Sequence, residues 1–161
     1  MGRKPSGSVQ RVREALAARG LASEVKELAA STRTAQEAAA AVGCQVAQIV
    51  KSLVFRLTAT DRPVLVLMSG TNRASEARLS ALTGEPVARA DPGFVRDRTG
   101  FSIGGVPPLG HATPLPTLLD RDLMALPVVW AAAGSPNAVF ALTPADLQRI
   151  TAGQVAELAE A

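Results

Sequence analysis

Ile49-Val-Lys-Ser-Leu-Val-Phe-Arg-Leu57 is the stretch on which the fold turns. Its length and its β-branched and aromatic content predict a strand. Side chains alternate along a strand, so Ile49, Lys51, Leu53, Phe55 and Leu57 share one face. Lysine is the only polar member of that face. Shortly after it, Pro63-Val-Leu-Val-Leu-Met68 is apolar on both faces, so it must be covered on both sides.

Working outward, a helix is predicted over Ser8 to Arg19. Val9, Val12 and Leu16 share one face of it, and Gly20 stops it. A short strand is expected over Leu21 to Leu28. Thr34-Ala-Gln-Glu37 has the capping-box spacing and opens an alanine-rich helix that ends near Gly43. Ala74 to Leu82 reads as a helix stopped by Gly84. Asp91-Pro92 and Thr143-Pro144 each pair a capping side chain with a proline at the first helical position. The first starts a helix to about Arg98, and the second starts the final helix with Asp146 three residues in. Further strands are expected near Leu115–Leu119, Pro127–Ala131 and Ala138–Leu142. Short strands and helices mix without regular βαβ alternation. The expected class is therefore α+β, a single domain with a mixed β-sheet curled into a half-barrel and helices packed outside. Residues 1–7 are expected to form a flexible tail, with the domain running over 8–161.

The chain has 161 residues, 47% hydrophobic and 19% charged, which suits one globular domain and excludes a disordered chain. One cysteine, Cys44, excludes an internal disulfide, and an inert buried thiol is the reading it supports. One histidine, His111, excludes a histidine-cluster metal site. No apolar run is long enough to span a membrane, and no signal peptide precedes the first helix, so a cytoplasmic protein is expected. The net charge of +3 permits a polyanionic partner without requiring one.

Two features could carry chemistry. Lys51 either snorkels to an edge or points into a cavity, where an anionic substrate would hold its charge. Thr99-Gly-Phe-Ser-Ile-Gly-Gly-Val-Pro-Pro-Leu-Gly110 is either an ordinary tight loop or a cradle of backbone N–H groups for an oxyanion, carboxyl or phosphate. His111 is a lone general-base candidate or a polar residue closing that loop. Ser52 follows Lys51 but faces the other side of its strand, which disfavours a Ser–Lys dyad. Asn137, in the turn Gly134-Ser-Pro-Asn137, could direct an amide into a site. No nucleophile elbow, P-loop, zinc-protease or paired-carboxylate motif is present.

Ile49-Val-Lys-Ser-Leu-Val-Phe55, followed about fifty residues later by the Gly-rich loop, resembles the YbaK/EbsC family, the superfamily of the prolyl-tRNA synthetase editing domain. The resemblance runs from the first helix to Leu142-Thr-Pro-Ala-Asp-Leu147. It implies a free-standing aminoacyl-tRNA deacylase that removes a wrong amino acid from a tRNA, often tRNA-Pro, with no metal or cofactor. Lys51 would be the essential lysine. Gly104 and Pro108 match the family's G-x-x-x-P loop, and the three are the catalytic candidates. Thr34, Gly105, Val106, Pro107, His111 and Asn137 are the substrate-binding candidates. The implied partner is the acceptor end of an aminoacyl-tRNA, with a synthetase as a further partner and neither DNA nor membrane. Arg73, Arg78, Arg89, Arg96 and Arg98 are candidates for the tRNA approach face, or form an ordinary solvated surface. Cysteinyl-specific members carry a tyrosine where this chain has Leu28 and an aspartate where it has Val139, so the amino acid removed stays open. The alternative is a non-catalytic aminoacyl-tRNA or synthetase-binding module of the same fold.

Overall fold

The computed structural model describes residues 7–29, 32 and 34–161. Residues 1–6 of the expected tail lie outside them, and Gly7 already belongs to the first helix, α1 (Gly7–Ala18). The elements that follow are β1 (Lys26–Glu27), α2 (Ala35–Val42), β2 (Val50–Leu57), β3 (Arg62–Ser69), α3 (Glu76–Thr83), β4 (Val87–Arg89) and α4 (Pro92–Thr99). After the glycine-rich loop come β5 (Thr117–Asp120), β6 (Val129–Ala132), β7 (Ala138–Leu142), α5 (Pro144–Thr151) and β8 (Gln154–Ala156).

The expected α+β class holds, with the strands divided between two sheets. Five strands run in the order β4-β2-β3-β5-β8, and three in the order β1-β7-β6. The β2–β3 hairpin is antiparallel over its whole length, from Val50↔Ser69 to Leu57↔Arg62. β5 joins β3 in parallel, and β8 joins β5 the same way. The two sheets touch through one isolated bridge, Ile49↔Trp130.

The hairpin is covered on both faces, as its apolar content requires. Val50, Leu65 and Leu67 pack with Val9, Val12 and Leu16 of α1, Phe140 of β7, and Leu147 and Ile150 of α5. Phe55, Leu57, Val64, Val66 and Met68 pack against Leu79 of α3 and Leu158. This double cover makes the hairpin the rigid centre of the molecule.

The helix starts follow their caps. The Thr34 hydroxyl accepts from the Glu37 N–H at 3.1 Å, and the Glu37 carboxylate accepts from the Thr34 N–H at 3.3 Å. Asp91 accepts from the Phe94 N–H at 2.8 Å, and Thr143 from the Asp146 N–H at 3.1 Å.

The strand expected over Leu21 to Leu28 survives only at Lys26–Glu27, paired with Val139 and Ala138. Before it, the Ser23 hydroxyl donates to the Ala141 carbonyl at 2.6 Å, so a side chain takes the place of the ladder there. β4 and β8, three residues each, were not anticipated. Each is held by its neighbour in the sheet rather than by any periodicity of its own.

Candidate active site

β4 pairs with β2 along Phe55–Leu57, the Ala90 N–H reaches the Val54 carbonyl at 3.4 Å, and β6 bridges to Ile49 just before β2. Between these contacts the edge of β2 is open. A cavity of about 420 Å³ fills this gap and is lined by Val50, Lys51, Ser52 and Leu53 of β2. Thr32, Thr34, Ala35 and Ala38 close one side, Ile103, Gly104 and Val106 another, and Trp130, Ala131, Ala132 and Val139 the floor. Most of this wall is apolar, with small side chains on α2 and β6. A larger cavity of about 680 Å³ lies at the other end of the hairpin, around Pro63, Leu82 and Leu115, and includes no Lys51 or glycine-loop residue.

Lys51 is half-buried at the cavity, and its Nζ donates to the main-chain carbonyl of Asn72. Burial pushes its pKa down, as do the nearby Arg73 and Arg89, while Asp120 pulls it up. An ammonium has three donors, so two remain for a ligand. Gly70, which carries the chain over the cavity, lies so close to the Val46–Gln48 3-10 turn that a Cβ would stand 2.2 Å from the Val46 carbonyl oxygen. Only glycine allows that approach.

The glycine-rich loop is only partly at the cavity. Gly104, at φ +92°, and Val106 line it. Gly105 is buried behind them, and its N–H is already committed to the Ser102 carbonyl at 3.0 Å. Gly105 therefore offers no donor to a ligand, contrary to the expectation for a cradle of both glycines. A Cβ on it would stand 2.8–2.9 Å from the backbone of Ser135, so its role is to seat the loop on the Gly134–Asn137 turn. Pro107 and Pro108 are buried outside the cavity wall, Pro108 facing a small pocket on the reverse side with His111.

His111 is likewise absent from the cavity. Its Nε2 meets the Pro107 carbonyl at 2.7 Å, and its ring stands edge-on to Phe101 with centroids 6.2 Å apart. A neutral ring with its hydrogen on Nε2 donates this bond and closes the last turn of the loop, from Pro107 to His111. Burial pushes the imidazole pKa below its ordinary value, against a smaller opposing effect of that bond. The folded state thus disfavours protonation, and stability falls as pH drops through about 6.5, levelling off below the folded-state pKa. Melting temperatures measured from pH 7.5 down to 5.5 are expected to fall for wild type and to lose part of that slope in His111→Gln. Identical slopes would remove His111 from the account.

Asn137 also has a fastening role. Its Nδ2 donates to the Leu28 carbonyl at 2.8 Å, its Oδ1 accepts from Ser135 at 2.9 Å, and its carbonyl accepts from the Leu28 N–H at 2.7 Å. The Thr32 N–H and hydroxyl both reach the Pro136 carbonyl at 2.6 Å. The 134–137 turn therefore holds the segment before α2 against the cavity. Thr34 stands at the cavity rim, its hydroxyl engaged in the cap. Leu28 is not in the wall, whereas Val139 is, and it makes that part of the floor apolar.

Sequence reasoning missed Trp130, whose ring lines the floor and carries Lys26 Nζ at 5.3 Å from its centroid. It also missed Asn72 and the buried Asp120. The sequence signal for Asp120 was a carboxylate ending the apolar run Leu118-Leu119-Asp120. Among the described residues no group of three or more His, Cys, Asp or Glu is placed to hold a metal ion, and no helix is long and apolar enough to cross a membrane.

Among the described residues, Lys51 and the backbone at Gly104 meet at one mostly apolar cavity. The model of the aminoacyl-tRNA editing domain matches residues 29–150, and the chain belongs to that family. The crystal structure of a candidate trans-editing enzyme for prolyl tRNA synthetase is similar with a TM-score of 0.92 and 52% identity, over 98% of this chain and 100% of the other. The hypothetical protein APE2540 is similar with a TM-score of 0.86 and 32% identity, over 93% of this chain and 99% of its own. YwhH of Bacillus subtilis (strain 168), an uncharacterized protein, is 31% identical over 132 residues, 82% of this chain and 83% of its own.

Proposed function

We propose that this protein is a trans-acting deacylase that hydrolyses a small, wrongly attached amino acid from a tRNA, with tRNA-Pro the first candidate. The observation that carries the reading is the convergence of Lys51 and Gly104 on one cavity in a member of the editing-domain family. The aminoacyl ester enters the cavity with its side chain against Ala38, Ala132 and Val139. Lys51 supplies charge and donors to the substrate's carbonyl or terminal phosphate, and the backbone at Gly104 faces the carbonyl oxygen as negative charge develops.

Among the described residues no His, Cys, Asp or Glu lines the cavity to serve as a base for its serine and threonine hydroxyls, so in this reading the substrate assists its own hydrolysis. A water oxygen bonds to the ester carbon, with its proton drawn toward the free ribose hydroxyl of the terminal adenosine. The bond from the acyl carbon to the ribose oxygen then breaks, and that oxygen takes up the proton. The products are a free amino acid and a tRNA with its terminal hydroxyl restored.

Arg73 and Arg89, whose charges are felt at Lys51, are the arginines this reading assigns to the phosphates of the acceptor end. An apolar pocket discriminates by size, and one methylene is worth only about 1–3 kcal/mol, so activity on more than one small residue follows. The test is a panel of Ala-, Ser-, Cys- and Thr-charged tRNA-Pro beside the cognate charged tRNAs. The expected result is release of one or a few small residues, weakening with added salt. A folded protein with no release from any of them would overturn the reading in favour of a non-catalytic binding module.

A further inference from the structure

Lys51 is held by a chain of bonds that begins in the core. β3 ends at Ser69, and the following turn, closed by the Asn72 N–H on the Ser69 carbonyl at 2.9 Å, brings the Asn72 carbonyl onto Lys51. The Asn72 side chain is fixed from below. Its Nδ2 donates to Asp120 Oδ2 at 2.9 Å and to Asp122 Oδ2 at 2.8 Å. Asp120 is 1% exposed and also accepts from the Ser69 N–H and the Asp122 N–H, each at 3.0 Å.

A carboxylate buried this deeply is costly unless hydrogen bonds satisfy it. Here three neutral donors do so, and none of the ion pairs among the described residues includes Asp120. Fastening a turn would need no charge. The bonds lead instead to Lys51, the one cation among the described residues that line the cavity, and this location gives the charge a use. We infer that Asp120 and Asn72 are positioning residues for Lys51: the buried carboxylate fixes the Asn72 amide, and the Asn72 carbonyl aims the ammonium into the cavity. The inference rests on the reading of Lys51 as the cation that meets the substrate.

The charges that face Lys51 are Arg73 from the turn after β3, Arg89 from β4 and Asp120 from β5, with Asp122 one bond further from it through Asn72. Of these, Asp120 is the carboxylate that favours the protonated form, so losing it removes the charge that opposes burial and the two arginines. Asp120→Asn keeps the size and an acceptor while removing the charge. The sequence has only three lysines, Lys4, Lys26 and Lys51, so carbon-13 lysine labelling gives three resonances, and Lys51→Arg identifies the third.

In Asp120→Asn the Lys51 resonance should titrate at lower pH than in wild type. The alkaline limb of deacylation should move the same way, and kcat should fall by about tenfold to a hundredfold, as expected for a small misplacement. Asn72→Ala keeps the buried charge but frees the turn. Its kcat should fall by at least about tenfold with KM within about twofold. A folded Asp120→Asn with an unmoved Lys51 titration would overturn the inference. If Asp120→Asn does not fold, an unchanged kcat in Asn72→Ala would do so instead. The lysine titration needs no turnover, so it still decides the inference if the wild-type protein hydrolyses no charged tRNA.

Discussion

Lys51→Ala is expected to lower deacylation of the best mischarged tRNA by about a hundred- to a thousandfold, the cost of losing one preorganised donor, or about 3–4 kcal/mol. The melting temperature should stay near that of wild type. Lys51 is half-buried, its one bond goes to the Asn72 carbonyl at the cavity wall, and water can replace it there. On the proposed contact with the ester carbonyl, where charge develops, the loss should appear mainly in kcat. Lys51→Met sharpens the point, since it keeps the aliphatic stem and removes only the ammonium. It should be as inactive as alanine. Near-wild-type turnover in Lys51→Met would show that the stem's packing matters and the charge does not. Either variant working normally would end the assignment of Lys51.

Gly105→Ala is expected to damage both stability and activity, although Gly105 is not in the cavity wall. The added Cβ would meet Ser135 Cα at 2.8 Å and Ser135 N and C at 2.9 Å. These are backbone atoms, which cannot rotate aside as a side chain would. Forcing the fit costs about 1–3 kcal/mol. For a chain of this size that lowers the melting temperature by roughly 2–4 °C per kcal/mol. Relief comes from moving the loop away from the 134–137 turn, which carries Gly104 with it. A displacement of about 1 Å at a positioning element costs about a hundredfold in rate. Gly7→Ala is the matched control, because nothing lies within 4 Å of a Cβ there. A Gly105→Ala protein with wild-type melting and turnover would show that the loop is not seated by this contact.

The deacylation panel separates catalysis from binding. Stabilisation of the fold by a charged tRNA without release of the amino acid would point to a binding module. Val139 bears on specificity in either case, because it makes that part of the cavity floor apolar.

Local chemistry determined much of this protein from the sequence alone. The helix starts at Thr34, Asp91 and Thr143 were legible because a cap is written within four residues. The strands at 49–57 and 63–68 were legible from their length and β-branched content, the second also from an apolar pattern that requires cover on both faces, while their pairing as a hairpin came from the structure. Lys51 was legible as a polar intrusion on an apolar face, and the spacing of the lysine strand to the glycine-rich loop pointed to the family. Tertiary structure alone decided the division of labour inside that loop. Gly104 and Val106 reach the cavity, while Gly105 turns to the 134–137 turn, Pro108 to the pocket on the reverse side and His111 to the Pro107 carbonyl. Only the fold brings Asp120 beneath Asn72 and Trp130 to the floor, since these pairings join strands far apart in the chain. A sequence states which bonds each residue can make. Which of them it does make depends on what the packed neighbours leave unpaired, and that is fixed only when the two sheets meet.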